Sequence, residues 1–414
     1  MRVEVPYGDG TEVVEVPDRN MGEIVYPNEL PDCDEMELLR AAFNAPIESA
    51  RLDMFLEGAE KVLVIVNDAT RPTPTAKVLD IIEETLNHFN AEYVVATGMH
   101  RAPTEEEYRF IFGDRYGSIK ERVHSHDSRT SETVRLGTTS RGTEVRFNRM
   151  VLDADRVVVI GSVEPHYFAG YTGGRKAFLP GISAFETIEQ NHKLALTLEA
   201  QALRLGSNPV HEDMVEAMAF LKDKRVFSIM AVLDKEHKVC SAYAGDIDAS
   251  FQAAVKKADE VFVVRMRKAD IAVAVTSFPH DIDLYQSQKA LDNAKLAVRD
   301  GGVIILVSAC RTGVGADTFL KLLGSAATPR EALEKISKEF KLGYHKAAKM
   351  AEIGLKIRMF AVTKLDPEIA RRAHMTPMPS LQVAVDKALK ELGPEAKVTF
   401  IMDAVITVPK VESG

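Results

Sequence analysis

Lys176 lies in the stretch YFAGYTGGRKAFLPGI, residues 167–182, just behind three glycines that fall within five positions. His166 precedes the stretch and His192 follows it. An amine displayed this way can act as a point charge or as a nucleophile toward a cofactor. Arg175 beside it predicts a lowered amine pKa and more of the nucleophilic form. The glycines suit close approach of backbone to a ligand. A phosphate-cradling loop is excluded, because it needs Gly-Lys-Ser/Thr and Lys176 is flanked by Arg175 and Ala177. A His-Glu-x-x-His zinc helix is absent as well.

Three further stretches carry reactive or charge-binding side chains. In NDATRPTPT, residues 67–75, Arg71 can grip a carboxylate or phosphate with paired hydrogen bonds, and Asp68 stands three residues before it. The threonines and prolines there fit equally well as a helix start. In TGMHRAPTEEE, Thr104 and Glu107 have the spacing of a capping box, which leaves His100 without a structural task. In FPHDIDLYQSQKA, Gln286 and Lys289 are three apart and share a helix face beside Tyr285. An amide, an ammonium and a phenol at a helix N-terminus can hold an anion, or they can simply form a solvated face. The remaining histidines are isolated, or paired without a third ligand as in His124 and His126.

The elements that must position these residues alternate apolar runs with amphipathic stretches. KVLVIV, AEYVVAT and ADRVVVIGS read as buried strands, with TAKVLDIIEETLNHF as a helix between the first two. A second series begins near Ala269 with DIAVAVTS, then the helix LYQSQKALDNAKLAVRD closed by Gly301 and Gly302, then GVIILVSA. Further helices are expected over 332–340, 345–356 and 381–392, and strands at RMFAVT and KVTFIMDAV. The pattern predicts two α/β domains with mostly parallel sheets, 1–265 and 266–414, the tail being free to return to the first. Ligands of such sheets sit beyond the carboxyl ends of the strands. Most of the residues singled out fall in four segments placed there, 67–75, 98–104, 161–182 and 276–288, and His192 and Lys289 follow the last two.

Bulk properties narrow the partners. The 414 residues are 46% hydrophobic and 27% charged with a net charge of −9, which argues against a nucleic-acid partner. No apolar run is long enough to span a bilayer, and MRVEVPYGDG does not read as a signal peptide. Three widely spaced cysteines form neither a metal motif nor a disulfide framework. A cytoplasmic enzyme, monomeric or a small homo-oligomer, is expected.

Taken together, NDATRPTP, GMHR, EPHYFAGYTGGRKAFLPG, NHKLA and LYQSQKA resemble the nickel-dependent lactate racemase family and its wider group of 2-hydroxyacid racemases and epimerases. The match runs colinearly over nearly the whole chain. The resemblance implies a nickel-pincer cofactor, a pyridinium-3,5-bisthiocarboxylate mononucleotide carrying Ni(II), in the cleft between the two domains. It implies His100 and His166 as the acid/base pair, and His192 as the protein's nickel ligand. It implies Lys176 as a cofactor contact that can be tethered covalently. Asp68, Ala69, Thr70 and Arg71 match the first cofactor loop, and Gln286 and Lys289 match contacts from the second domain. Arg71, Tyr285 and Lys289 are candidates for holding the substrate carboxylate. The implied reaction moves the C2 hydride of a 2-hydroxyacid to the cofactor and returns it to the other face of the planar ketoacid. Cofactor-biosynthesis proteins are implied as maturation partners. The family's active-site tryptophan has no counterpart, since the chain has no Trp, so the substrate is lactate or a larger or more polar 2-hydroxyacid. A sugar-acid epimerase with the same cofactor, or a non-catalytic mononucleotide- or anion-binding protein, are the rival readings.

Overall fold

The computed structural model describes residues 1–412 apart from Ala316 and Leu342. The chain divides into two compact units, one of residues 29–261 and one of residues 1–28 with 262–414. This differs from the expected spans 1–265 and 266–414 at the N-terminus. The strand Met21–Val25 pairs in parallel with Val398–Ile401 and so joins the sheet of the later segment. The C-terminal strand Val408–Val411 pairs with Val263–Met266 of that same unit.

The 29–261 unit is built on a six-stranded sheet. Its spatial order is Val239–Asp246, Arg225–Leu233, Arg156–Ser162, Val62–Asn67, Glu92–Ala96, Val123–Ser125. Only the first pair is antiparallel. Val62–Val66 are all buried, as a run of branched apolar residues covered on both faces must be. The helix Thr75–His88 turns Val78, Leu79, Ile82 and Leu86 onto that sheet. The antiparallel strands Thr133–Thr138 and Glu144–Asn148 are an excursion that the apolar-run pattern does not announce, because their exposure alternates irregularly.

The other unit has a six-stranded parallel sheet in the order Thr376–Met378, Arg358–Val362, Val298–Val307, Ala269–Val275, Val398–Ile401, Met21–Val25. The helix expected to run to Gly301 stops at Ala294, and Val298 already belongs to the next strand. The helix Leu381–Leu392 is capped by Ser380 and buries Leu381, Ala384, Val385 and Ala388. These pack in one core with Val3, Val5 and Val14 of the hairpin Arg2–Tyr7/Gly10–Glu15. The three cysteines are free, Cys33 being exposed and Cys310 buried. Among the described residues no helix is long and apolar enough to cross a membrane.

Candidate functional site

Three neighbouring strands of the 29–261 sheet deliver the candidate residues from their carboxyl ends. Asp68 and Arg71 follow the middle strand, His100 follows one neighbour, and Glu164 and His166 follow the other. Adjacency in the sheet therefore sets two cross-links. The buried Asp68 carboxylate lies 2.6 Å from His100 Nδ1. Arg71 Nη1 donates to Glu164 Oε1 at 3.1 Å. Thr70 donates its hydroxyl to the other Asp68 oxygen at 2.6 Å, and its amide adds a bond at 3.1 Å. Burial alone would raise the Asp68 carboxyl, but the bonds from His100 and Thr70 hold it below its ordinary value. A carboxylate accepts only, so His100 Nδ1 carries the proton and Nε2 presents the lone pair. Ala69, in the same loop, packs its methyl against the core.

The glycine-lysine stretch is packed rather than flexible. Gly173 and Gly174 hold φ of +83° and +53°. A Cβ on Gly173 would come within 2.7 Å of Val163, and one on Gly174 within 3.0 Å of Phe251. These glycines let the backbone fit protein instead of lying open to a ligand. The short 3₁₀ turn Gly174–Ala177 then directs its two cations apart. Arg175 pairs with Asp248 and lies over the Phe251 ring. Lys176 has its amine pushed down to about 7, by burial first and then by the charge of Arg71, with Glu164 opposing. The expected lowering by Arg175 is not what acts here, since that side chain turns to Asp248 and the cation acting on Lys176 is Arg71.

Phe168, buried beneath these groups, is the residue that the sequence reading passed over. Its ring meets His166 edge-on at 4.5 Å and His192 at 5.1 Å, and Lys176 Nζ lies 5.5 Å from its centroid. An aromatic in an apolar-looking stretch reads as core, so no local signal marks it. His166 is half-buried and stacks on Tyr167. The Ala169 amide donates to His166 Nδ1 at 3.3 Å. The neutral ring therefore carries its proton on Nε2, opposite to His100.

His192 is buried on the helix Phe185–Lys193. Ser183 does not cap that helix as its type suggests; its hydroxyl donates to the Phe178 carbonyl and Ala184 is the cap residue. His192 Nδ1 lies 3.3 Å from Asn191 Oδ1. Among the described residues no three His, Cys, Asp or Glu side chains come together as a metal site. The capping box of Thr104 and Glu107 forms as expected.

The remaining candidates sit on the other unit, on the helix Leu284–Ala294. Asp283 caps it at the Gln286 amide, 2.8 Å away. Lys289 Nζ donates to Gln286 Oε1 at 2.8 Å, so these two do share a face. Tyr285 lies under Lys346, whose Nζ is 3.5 Å from the ring centroid. Burial raises the Tyr285 phenol, and it stays protonated at neutral pH.

Comparison with known proteins gives this arrangement a family. Residues 7–204 match the lactate racemase N-terminal domain, and residues 264–408 match the lactate racemase C-terminal domain. The lactate racemase of Thermoanaerobacterium thermosaccharolyticum is 30% identical over 422 residues, covering 98% of both chains. That of Lactiplantibacillus plantarum is 30% identical over 426 residues, covering 99% of both. The structure of the Thermoanaerobacterium thermosaccharolyticum lactate racemase apoprotein superposes with a TM-score of 0.91 at 29% identity, over 99% of this chain and 100% of that one. A Thermotoga maritima protein shares the fold at a TM-score of 0.67 and 18% identity, over 92% of this chain and 98% of that one. With both domains matched in order and two full-length relatives at 30% identity, this chain belongs to the lactate racemase family and is an isomerase.

Proposed function

We propose that the chain inverts C2 of a 2-hydroxyacid, with His100 and His166 as the two proton-transfer groups. The observation that carries this is that the two rings are held at Nδ1 by opposite partners, an accepting carboxylate at His100 and a donating amide at His166. His100, held through Nδ1 by Asp68, offers a lone pair at Nε2 and takes the hydroxyl proton. His166, with Nδ1 occupied by the Ala169 amide, offers a proton at Nε2. An inversion needs one of each, and reversal exchanges their roles. Imidazole suits both tasks because its ordinary pKa is near neutral. Arg71 is the candidate for gripping the substrate carboxylate, its charge being shared with Glu164.

The cofactor of this reading is a nickel-pincer nucleotide, which supplies a hydride acceptor when bound. The residues fit it. His192, with Nδ1 turned to Asn191, would offer Nε2 of its imidazole to Ni(II), the rest of the ligand set coming from the cofactor. Lys176, at about 7, has a large neutral fraction at physiological pH and would hydrogen-bond to or ion-pair with a thiocarboxylate arm. Phe168 touches both side chains and holds them in one neighbourhood. Asp68 acts here through His100, beside its place in the loop Asp68, Ala69, Thr70 and Arg71. Gln286 and Lys289 are proposed as further cofactor contacts on the resemblance alone.

Lactate is the substrate named for the relatives. A larger or more polar 2-hydroxyacid is favoured by the lack of any Trp in this chain where the family carries an active-site tryptophan. The test is a racemisation screen of 2-hydroxyacids with cofactor-loaded protein. His100→Ala, His166→Ala and Asp68→Asn should each lower turnover by roughly 10²–10⁴-fold while nickel content stays at the parental level. Parental turnover in His100→Ala or His166→Ala removes that residue from the mechanism.

A further inference from the structure

We propose that Asn191 and Asp213 form a buried relay that fixes the tautomer and ring orientation of His192, so that Nε2 is the nitrogen presented to a metal. The inference rests on the reading of His192 as the nickel ligand and names residues to which that reading assigns nothing.

The chain of donors and acceptors has one consistent direction. Asp213 is fully buried on the helix Pro209–Ala219. Its Oδ1 accepts from the Thr139 hydroxyl at 2.6 Å. Its Oδ2 accepts from the Thr143 hydroxyl at 2.8 Å and from Asn191 Nδ2 at 2.9 Å. The Thr139 oxygen itself accepts the Thr143 amide at 3.1 Å, so its proton is committed to Asp213. Asn191 Nδ2 also donates to the Val210 carbonyl at 3.2 Å. Both partners of that nitrogen are pure acceptors, which settles which end of the amide is which. Oδ1 then faces His192 Nδ1 at 3.3 Å, and an amide oxygen can only accept. The ring must therefore carry its neutral proton on Nδ1. On the other side Phe168 packs edge-on at 5.1 Å and limits rotation of the imidazole. Metal-binding histidines are commonly oriented by a partner of this kind on the far nitrogen. Here the partner is an amide whose own orientation is enforced by a carboxylate, saturated by two threonines from the excursion around the strand Glu144–Asn148.

The experiment has two readouts. In apoprotein labelled with ¹⁵N-histidine, the ring shifts of His192, assigned by their loss in His192→Ala, should show Nδ1 protonated and Nε2 bare. Asn191→Leu, similar in shape but unable to accept, should move both shifts toward a tautomer mixture. Loaded Asn191→Leu should release nickel to chelator roughly 10–100-fold faster than the parent. Should Asn191→Leu not fold, Asp213→Asn, which frees the Asn191 amide to turn over, gives the same two shifts. A parental Nδ1–H signature and parental nickel release in the folded variant overturn the relay. His192→Ala that holds nickel at the parental rate overturns the ligand reading instead, and leaves the tautomer result standing by itself.

Discussion

At the scale of single residues, each candidate reactive group lies beside a neighbour that bears on its proton. Lys176 is the group for which this is most directly measurable. An ordinary lysine amine titrates at 10.5, and this one at about 7. The neutral, nucleophilic form is therefore scarce below that value and grows as pH rises through it. Labelling of apoprotein with a small acylating reagent, read by mass spectrometry, should modify Lys176 with a midpoint near 7. Arg71→Gln removes a positive neighbour and should raise the midpoint, and Glu164→Gln should lower it. A parental midpoint at the ordinary lysine value would show that burial does not act as described. Residue types and spacing singled out Lys176, His100 and His166 as candidates in segments that follow strands, and their roles came only with the family resemblance. The partner identities were not legible. Asp68 and His100 are 32 positions apart, and their meeting depends on which strands are adjacent in the sheet. The same ignorance of neighbours assigned the lowering of Lys176 to Arg175, when the acting cation is Arg71.

At the scale of elements, the sheets could be read because a strand covered on both faces is an unbroken apolar run. Val62–Val66 and Ile271–Val275 show this directly. The failures have equally plain causes. The strand Val298–Val307 contains Gly301 and Gly302, which look like a helix stop. The glycines before Lys176 looked suited to a ligand's approach, whereas they fit the backbone against Val163 and Phe251. That distinction can be tested at Gly174, where alanine must both adopt φ +53° and place its Cβ 3.0 Å from Phe251. Gly174→Ala should cost about 1–3 kcal/mol, seen as a lower melting temperature, and should displace the Lys176 turn. An unchanged melting temperature would mean the turn has slack the packing does not suggest.

At the scale of the whole molecule, the unit of residues 1–28 with 262–414 is discontinuous in sequence, and 29–261 is an insertion into it. Val3, Val5, Val14 and Val16 are buried in its core. At about 1.5–3 kcal/mol for each buried valine side chain, the hairpin segment contributes on the order of a small domain's entire stability. Deleting residues 1–28 should therefore leave 262–414 open to limited proteolysis while 29–261 resists. Equal resistance of the two parts would show that the hairpin and the Met21–Val25 strand are dispensable.

The pairing of Met21–Val25 with Val398–Ile401 also sets an order of events on the ribosome. Val25 and its partner Ile401 are 376 positions apart. At roughly 5–20 residues per second, the first strand is made about 20–75 s before the strand it will lie against. A hairpin such as Arg2–Glu15 closes within about 1–10 μs, so it stands ready through that interval with its valines facing water. The continuous segment 29–261, carrying the histidines and Lys176, can finish folding meanwhile. The hairpin is thus made before the segment 29–261 and buried after it, and nascent-chain aggregation should be governed by its few apolar side chains.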